Sequence, residues 1–140
     1  MKKNIFRIAL CAIVGIALAS CNPTEVTFQE SYLLGYWLED GTQHYVRFTN
    51  TRQSDEYQLG YEWDEAEDVM ESDVTSNEGG NGWFKWALVK TNLTEIHLMD
   101  NGGAEIPKTY IVTKLTDSEL SYYEKDQPSV KASFQKVVKN

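Results

Sequence analysis

The stretch EYQLGYEWD, residues 56–64, decides the fold class, because its large apolar side chains recur at every second position. The residues that share one face of an extended chain here are Tyr57, Leu59, Tyr61 and Trp63. The positions between them are polar or glycine, and a period of two is that of a β-strand with one buried face. We therefore expect a strand, with its aromatic face in the core.

Seven further segments are rich in Val, Ile, Thr and aromatic residues and are separated by short clusters of Gly, Asn and Asp. The eight predicted strands are residues 31–39, 43–49, 56–64, 82–90, 94–99, 108–115, 119–125 and 130–138. Sequential strands with short links favour a closed meander, because closure removes the exposed edges of an open sheet. We predict an all-β domain over residues 31–140, an eight-stranded antiparallel up-and-down β-barrel.

The links between the strands predict an open and a closed end. In an up-and-down barrel, alternate links gather at the same end. The odd-numbered links include an acidic segment and the turn-rich DNGGAEIP, residues 100–107, whereas the even-numbered links near Thr51, Asn92 and Asp117 are tight. We expect a mouth with long loops at one end, including a flexible acidic loop over residues 65–81 in preference to a short extra strand, and a closed floor at the other.

The N-terminus has the composition of a secretory signal peptide, predicted over residues 1–20. Lys2, Lys3 and Arg7 form a basic region, and an uncharged run of 13 residues follows from position 8 to position 20. That run is shorter than the roughly 20 apolar residues that a membrane-spanning helix needs. We therefore expect export of the chain and removal of this segment.

The sequence LASC, ending at Cys21, resembles the lipobox of bacterial lipoproteins. The resemblance implies cleavage before Cys21, a diacylglyceryl group on its thiol and a palmitate-type acyl chain on the new amine, which together anchor a protein to a membrane. Asn22, in place of the aspartate that retains enterobacterial lipoproteins at the inner membrane, implies the outer membrane. The periplasmic or surface face stays open. Residues 21–30 are then a lipidated tether.

Composition excludes one class of partner. The chain has 13 Lys and Arg against 21 Asp and Glu, a formal charge of -8, and loss of the three basic residues of the signal makes it -11. Affinity for nucleic acid depends on Lys and Arg that neutralise phosphates, so we expect no nucleic-acid partner. The two cysteines, Cys11 and Cys21, fall in the signal and the anchor, which leaves no thiol for a disulfide or a nucleophile.

A second resemblance covers roughly residues 31–138. Gly35 and Trp37 form a G-x-W arrangement on the first predicted strand and are followed by a short-turn meander, which is similar to the small lipocalin-like lipoproteins of Bacteroidetes. The resemblance implies that Trp37 packs across the barrel floor and that the cavity takes a small hydrophobic molecule. The T-D-Y motif of typical lipocalins is absent, because Ser118 follows the Thr-Asp pair, and Lys136 stands in for their basic residue near the chain end.

Catalytic and metal-binding motifs are scarce. The chain has no phosphate-binding glycine loop, no H-E-x-x-H and no G-x-S-x-G, so we expect no enzyme activity and no cofactor. Of the two histidines, His97 alternates with Ile96 and Leu98, which predicts that it points to solvent. His44 shares parity with Val46 near the mouth, where it is either a polar group inside a pocket or a partly wet residue.

The acidic segment, residues 64–78, has seven carboxylates. Such oxygens suit a hard cation such as calcium, but the spacing does not follow the EF-hand pattern. We expect a solvated acidic loop and no metal, with calcium binding as the alternative. Such a loop could also dock a basic protein partner by electrostatic steering.

Aromatic side chains give the main functional indication. The predicted lining of the mouth is His44, Tyr61, Trp63, Phe84, Trp86, Tyr122 and Phe134. Eight-stranded barrels either fill with side chains or hold one small ligand. We therefore expect a membrane-anchored binding protein for a small hydrophobic or aromatic molecule; the alternative is a filled barrel that serves as an interaction or structural module of the cell envelope.

Overall fold

The computed structural model describes residues 26–98 and 105–139. The predicted signal peptide (residues 1–20) and Cys21 lie outside the described residues, as does most of the predicted loop at residues 100–107. The part of that loop that is described, from Glu105, already belongs to a strand.

Eight strands form one sheet. They are β1 Gly35–Glu39, β2 His44–Arg52, β3 Gln58–Asp64, β4 Trp83–Val89, β5 Asn92–Leu98, β6 Glu105–Leu115, β7 Glu119–Glu124 and β8 Gln127–Val137. Each strand pairs antiparallel with the next, and β8 pairs with β1 through contacts such as Lys136 with Trp37. The sheet is therefore a closed eight-stranded up-and-down barrel, which confirms the predicted fold class.

Helical turns replace two predicted features. Helix α1, Glu30–Leu33, occupies the start of the predicted first strand, and its Leu33 is fully buried in the floor. The acidic segment holds a 3₁₀ turn, Glu65–Glu67, and helix α2, Glu71–Thr75, in place of the expected flexible loop. Val74 of α2 is buried, so apolar packing holds this segment against the barrel.

The main apolar core lies inside the barrel, from its closed end up to the residues that line the cavity described below. The main core consists of Leu33, Trp37, Val46, Phe48, Phe84, Trp86, Leu93, Val112, Leu115, Leu120 and Phe134. The described chain enters at this closed end, where the Phe28 amide donates to the carbonyl of Lys90 (3.4 Å) in the turn between β4 and β5. Phe28, predicted in the tether, packs against the core.

Candidate functional site

The register of β3 reverses the faces that the sequence predicts for it. Glu62 is opposite Val46, and Gly60 is opposite both Phe48 and Phe84, all of which are core or cavity residues. The inner face of β3 therefore carries Gly60 and Glu62. Position 60 has room for no side chain, because a Cβ there would overlap the ring of Phe84.

Tyr61 and Trp63 point away from the barrel interior, so the prediction that they line the mouth is wrong. Trp63 stacks on Tyr45 with ring centroids 5.5 Å apart and is 3% exposed. Tyr61 and Trp83 pack edge to face, with ring centroids 5.4 Å apart. The acidic segment covers this outer surface, where Trp83 Nε1 donates to the carbonyl of Val74 (2.6 Å). An outer strand face that is covered by another segment shows the same apolar–polar alternation in sequence as a face in the core.

A side chain of α2 bonds the acidic segment to the outer surface of the barrel. One carboxylate oxygen of Glu71 accepts from the hydroxyl of Tyr36 at 2.6 Å and from Arg47 at 2.8 Å. Asp64 and Asp73 accept from backbone amides within the segment. Several of its acidic groups are thus used for structure. Across residues 26–98 and 105–139, no group of three or more His, Cys, Asp or Glu side chains is placed to hold a metal ion.

His97 points into the barrel, contrary to the solvent exposure predicted for it. It lies opposite Phe84 on β4 and Ile106 on β6, and its ring stacks on Phe84 with centroids 4.9 Å apart. The neighbouring inward position on β5 is Glu95, which is 4% exposed. The prediction was wrong because it assumed that the apolar residue Ile96 faces the interior, whereas Ile96 is on the outer face.

Five side chains form a continuous hydrogen-bonded row at the mouth, which we name the acid–imidazole chain: Glu39, His44, Glu62, His97 and Glu95. His44 Nδ1 is 3.0 Å from Glu39 Oε1, and His44 Nε2 is 2.9 Å from Glu62 Oε1. His97 Nδ1 is 2.9 Å from Glu62 Oε2, and His97 Nε2 is 2.9 Å from Glu95 Oε1. Both nitrogens of each imidazole are therefore occupied.

These contacts set the charge of the row. The hydrogen bond to Glu62 is the largest influence on His44 and, against the opposing effect of burial, raises its pKa to about 9. Burial alone would lower the pKa of His97, but the carboxylates of Glu62 and Glu95 raise it to about 10. Burial would raise the pKa of Glu62, yet the two imidazoles hold it at about 2. Near neutral pH, two imidazolium groups flank one carboxylate.

Glu95 differs from the other carboxylates of the row. Its Oε1 contacts His97, whereas its Oε2 is buried without a hydrogen-bond partner in the described structure. Burial raises the pKa of Glu95, and the nearby His97 only partly opposes this. An unpaired buried oxygen costs free energy, which makes it a candidate contact for a bound group.

A cavity of about 320 Å³ opens beside this row. Its lining residues are His44, Val46, Glu62, Phe84, Glu95, His97, Ile106, Lys108, Tyr110 and Tyr122. Tyr110 and Tyr122 form one wall, with ring centroids 4.5 Å apart. The mouth half of the barrel is thus hollow, with an aromatic wall and a charged wall.

The predicted lining residues divide between this cavity and the core. His44, Phe84 and Tyr122 line the cavity. Trp86 and Phe134 point inward but are buried in the main core, at 0% and 2% exposure. The two alternatives from the sequence, a hollow and a filled barrel, each describe one half of the molecule.

The G-x-W residues lie in the closed half. Trp37 is fully buried, and its Nε1 donates to the carbonyl of Leu33 (2.8 Å). Lys136 Nζ is 4.9 Å from the centroid of the Trp37 ring and donates to two carbonyls of the α1 region, those of Tyr32 and Leu34. Gly35 begins β1 with φ +127°, which favours glycine.

The prediction missed five polar residues of the cavity lining and Glu39 at the end of the acid–imidazole chain; the five are Glu62, Glu95, His97, Lys108 and Tyr110. One signal was present in the sequence: a two-residue turn at Lys90 and Thr91 pairs Leu88 with Leu93, so Leu93, Glu95 and His97 share the inner face.

Comparisons with protein-family models, with curated proteins and with solved structures gave no match to this chain. None of the helices formed by the described residues has the length and apolar character needed to cross a membrane.

Proposed function

We propose that this chain is a lipid-anchored lipoprotein of the outer membrane whose barrel binds a small molecule in its mouth cavity. The observation that carries the proposal is the cavity of about 320 Å³ above a filled floor. This volume lies at the lower end of the roughly 300–1,000 Å³ range of small-molecule sites.

The lining indicates an amphipathic ligand. Phe84, Tyr110 and Tyr122 offer ring surfaces against which a planar or apolar group can pack. Glu95 and Lys108 bring polar atoms to the same space. A purely hydrophobic molecule would desolvate Lys108 and leave Glu95 Oε2 without a partner, so we favour a ligand with one aromatic part and one polar part.

Binding accounts for the acid–imidazole chain better than acid–base catalysis does. A general base needs a nitrogen that is free to take a proton from a substrate. Among the described residues, each ring nitrogen of His44 and His97 already contacts a carboxylate. We therefore propose a binding role without catalysis.

The closed end supports a lipocalin-like assignment. Trp37 lies across the floor with Lys136 over its ring, which is the arrangement that the resemblance implies. The described chain begins at the same end. Because Phe28 contacts the floor turn, a lipid on Cys21, seven residues earlier, would be joined to the domain through its closed end.

An interaction module remains the alternative function, with a basic protein docked on the acidic segment. The structure gives it less support, because Glu71, Asp64 and Asp73 of that segment are engaged within the chain. Small-molecule binding, in contrast, requires only the cavity and does not depend on the acidic segment.

Native mass spectrometry of the full chain purified from the membranes of its own host tests the proposal. We expect a mass above that of the polypeptide with lipid on Cys21, and release of a small molecule on denaturation. Val46→Phe, which fills part of the cavity, should abolish the extra mass, whereas Thr94→Phe on the outer face of β5 should keep it.

Two results would contradict the proposal. One is an unmodified Cys21, which would remove the anchor. The other is the absence of any released molecule, or its equal recovery from the Val46 and Thr94 variants, which would remove the cavity as the binding site.

A further inference from the structure

One polar atom in the mouth cavity lacks a partner. Within the described residues, Glu95 Oε2 is the buried side-chain oxygen without a hydrogen bond, and Glu95 lines the cavity. Glu95 is 4% exposed, and its Oε2 is itself buried. A ligand in the cavity supplies the missing contact when the Glu95 side chain, which is part of the lining, turns this oxygen towards it.

The chemistry of Glu95 Oε2 and of its neighbours determines which kind of group can bind it. In its ionised form a carboxylate oxygen only accepts hydrogen bonds, so a ligand that binds ionised Glu95 has to bring a donor. His97 cannot turn to provide a second bond, because its two nitrogens are held by Glu62 and Glu95 Oε1. Lys108, opposite Glu95 on β6, brings an ammonium to the lining, and its Nζ lies 3.6 Å from Glu124 Oε2 on β7.

The charge count favours a cationic donor. The acid–imidazole chain holds three carboxylates, from Glu39, Glu62 and Glu95, and two imidazoles. With both imidazoles protonated and all three acids ionised, one negative charge is left without a partner. Only a proton or a cation can balance it, and Lys108 is paired with Glu124.

The aromatic wall suits the rest of such a ligand. Tyr110, Tyr122 and Phe84 line the same cavity as Glu95 and Lys108, and the two tyrosine rings are in contact. Aromatic faces attract ammonium groups as well as flat rings. A short aromatic amine would therefore satisfy both walls at once.

We propose that the mouth cavity binds a small aromatic amine, with its ammonium group on Glu95 Oε2 and its ring against Tyr110, Tyr122 and Phe84. This inference rests on the proposed function and specifies its ligand class. In the empty cavity, burial favours a proton on Glu95, and the raised pKa of this carboxyl is consistent with that. The incoming ammonium displaces this proton, which is released to solvent.

The test compares two probes of equal size on the full lipidated chain in detergent: 2-phenylethylamine and its uncharged counterpart 2-phenylethanol, titrated calorimetrically. The wild type should bind the amine at least about tenfold more tightly, since a hydrogen bond to a charged group contributes roughly that much. Glu95→Gln, in the same detergent, should lower affinity for the amine by about the same factor. Glu119→Gln, on the barrel exterior beside Lys114, should leave it unchanged.

Each outcome decides the matter. If wild type binds the alcohol as tightly as the amine, the ammonium assignment is wrong while the cavity remains a binding site. If neither probe binds, the ligand class is wrong, and the copurification experiment decides separately whether the cavity binds anything. Should Glu95→Gln fail to fold, the ratio of the two wild-type affinities still gives the answer.

Discussion

Replacing Trp37 with alanine should lower the free energy of unfolding by about 3–5 kcal/mol. The side chain is fully buried, its indole nitrogen holds the carbonyl of Leu33, and Lys136 covers its ring. The substitution would open a cavity where α1, β1 and β8 meet, and the barrel wall cannot collapse to fill it. The floor would lose both its packing and the attachment of α1.

Urea denaturation followed by far-ultraviolet circular dichroism measures this loss without depending on tryptophan fluorescence. Val89→Ala is a suitable control, because Val89 is 64% exposed and its truncation should change stability by less than about 0.5 kcal/mol. A loss below about 1 kcal/mol in Trp37→Ala would mean that Trp37 is not the centre of the floor.

Glu62→Gln should be the next most damaging single change, with an expected loss of about 2 kcal/mol near pH 6. Glu62 accepts from both His44 and His97, and an amide offers only one acceptor to two protonated rings. Its side chain is 32% exposed, so solvent screening keeps the loss below that of a fully buried ion pair.

The loss should depend on pH with a definite sign. The folded-state pKa values of His44 and His97 are raised from 6.5 to about 9 and about 10, so their stabilisation is complete below pH 6.5 and disappears as the pH rises through those values. The pKa of Glu62 is lowered from 4.5 to about 2, so its stabilisation is complete above pH 4.5 and disappears as the pH falls towards 2. The effect of Glu62→Gln should therefore be greatest between these limits.

Unfolding free energies of wild type and Glu62→Gln, measured across this pH range, would show the difference. Glu105→Gln is a matched control, because Glu105 forms an exposed pair with Lys85 on the barrel exterior. Equal losses in the two variants, or a Glu62→Gln effect that does not shrink above pH 9, would contradict the assigned contacts.

The barrel could be predicted from the sequence because its signals are local. Each of the eight strands has its own apolar pattern, and the tight links at Lys90 and at Asp117 are short-range turns. Alternation of the links placed the acidic segment at one end without any knowledge of side-chain contacts.

The site was harder, because its faces are set by distant segments. On β3 the aromatic alternation is real, but α2 covers Tyr61 and Trp63 from outside, and no local pattern predicts that cover. The inner face instead carries Gly60 and Glu62, which look like a solvent-exposed face in the sequence. Their position becomes evident only once Phe84 is seen to occupy the space at Gly60.

Two histidines lie inside the mouth beside the cavity and are bridged by Glu62, and the site depends on this placement. Titration of the imidazole signals by nuclear magnetic resonance in the full chain tests it most directly. We predict that His44 and His97 titrate at about pH 9 and about pH 10. Two histidines that both titrate near 6.5, as exposed imidazoles do, would contradict it.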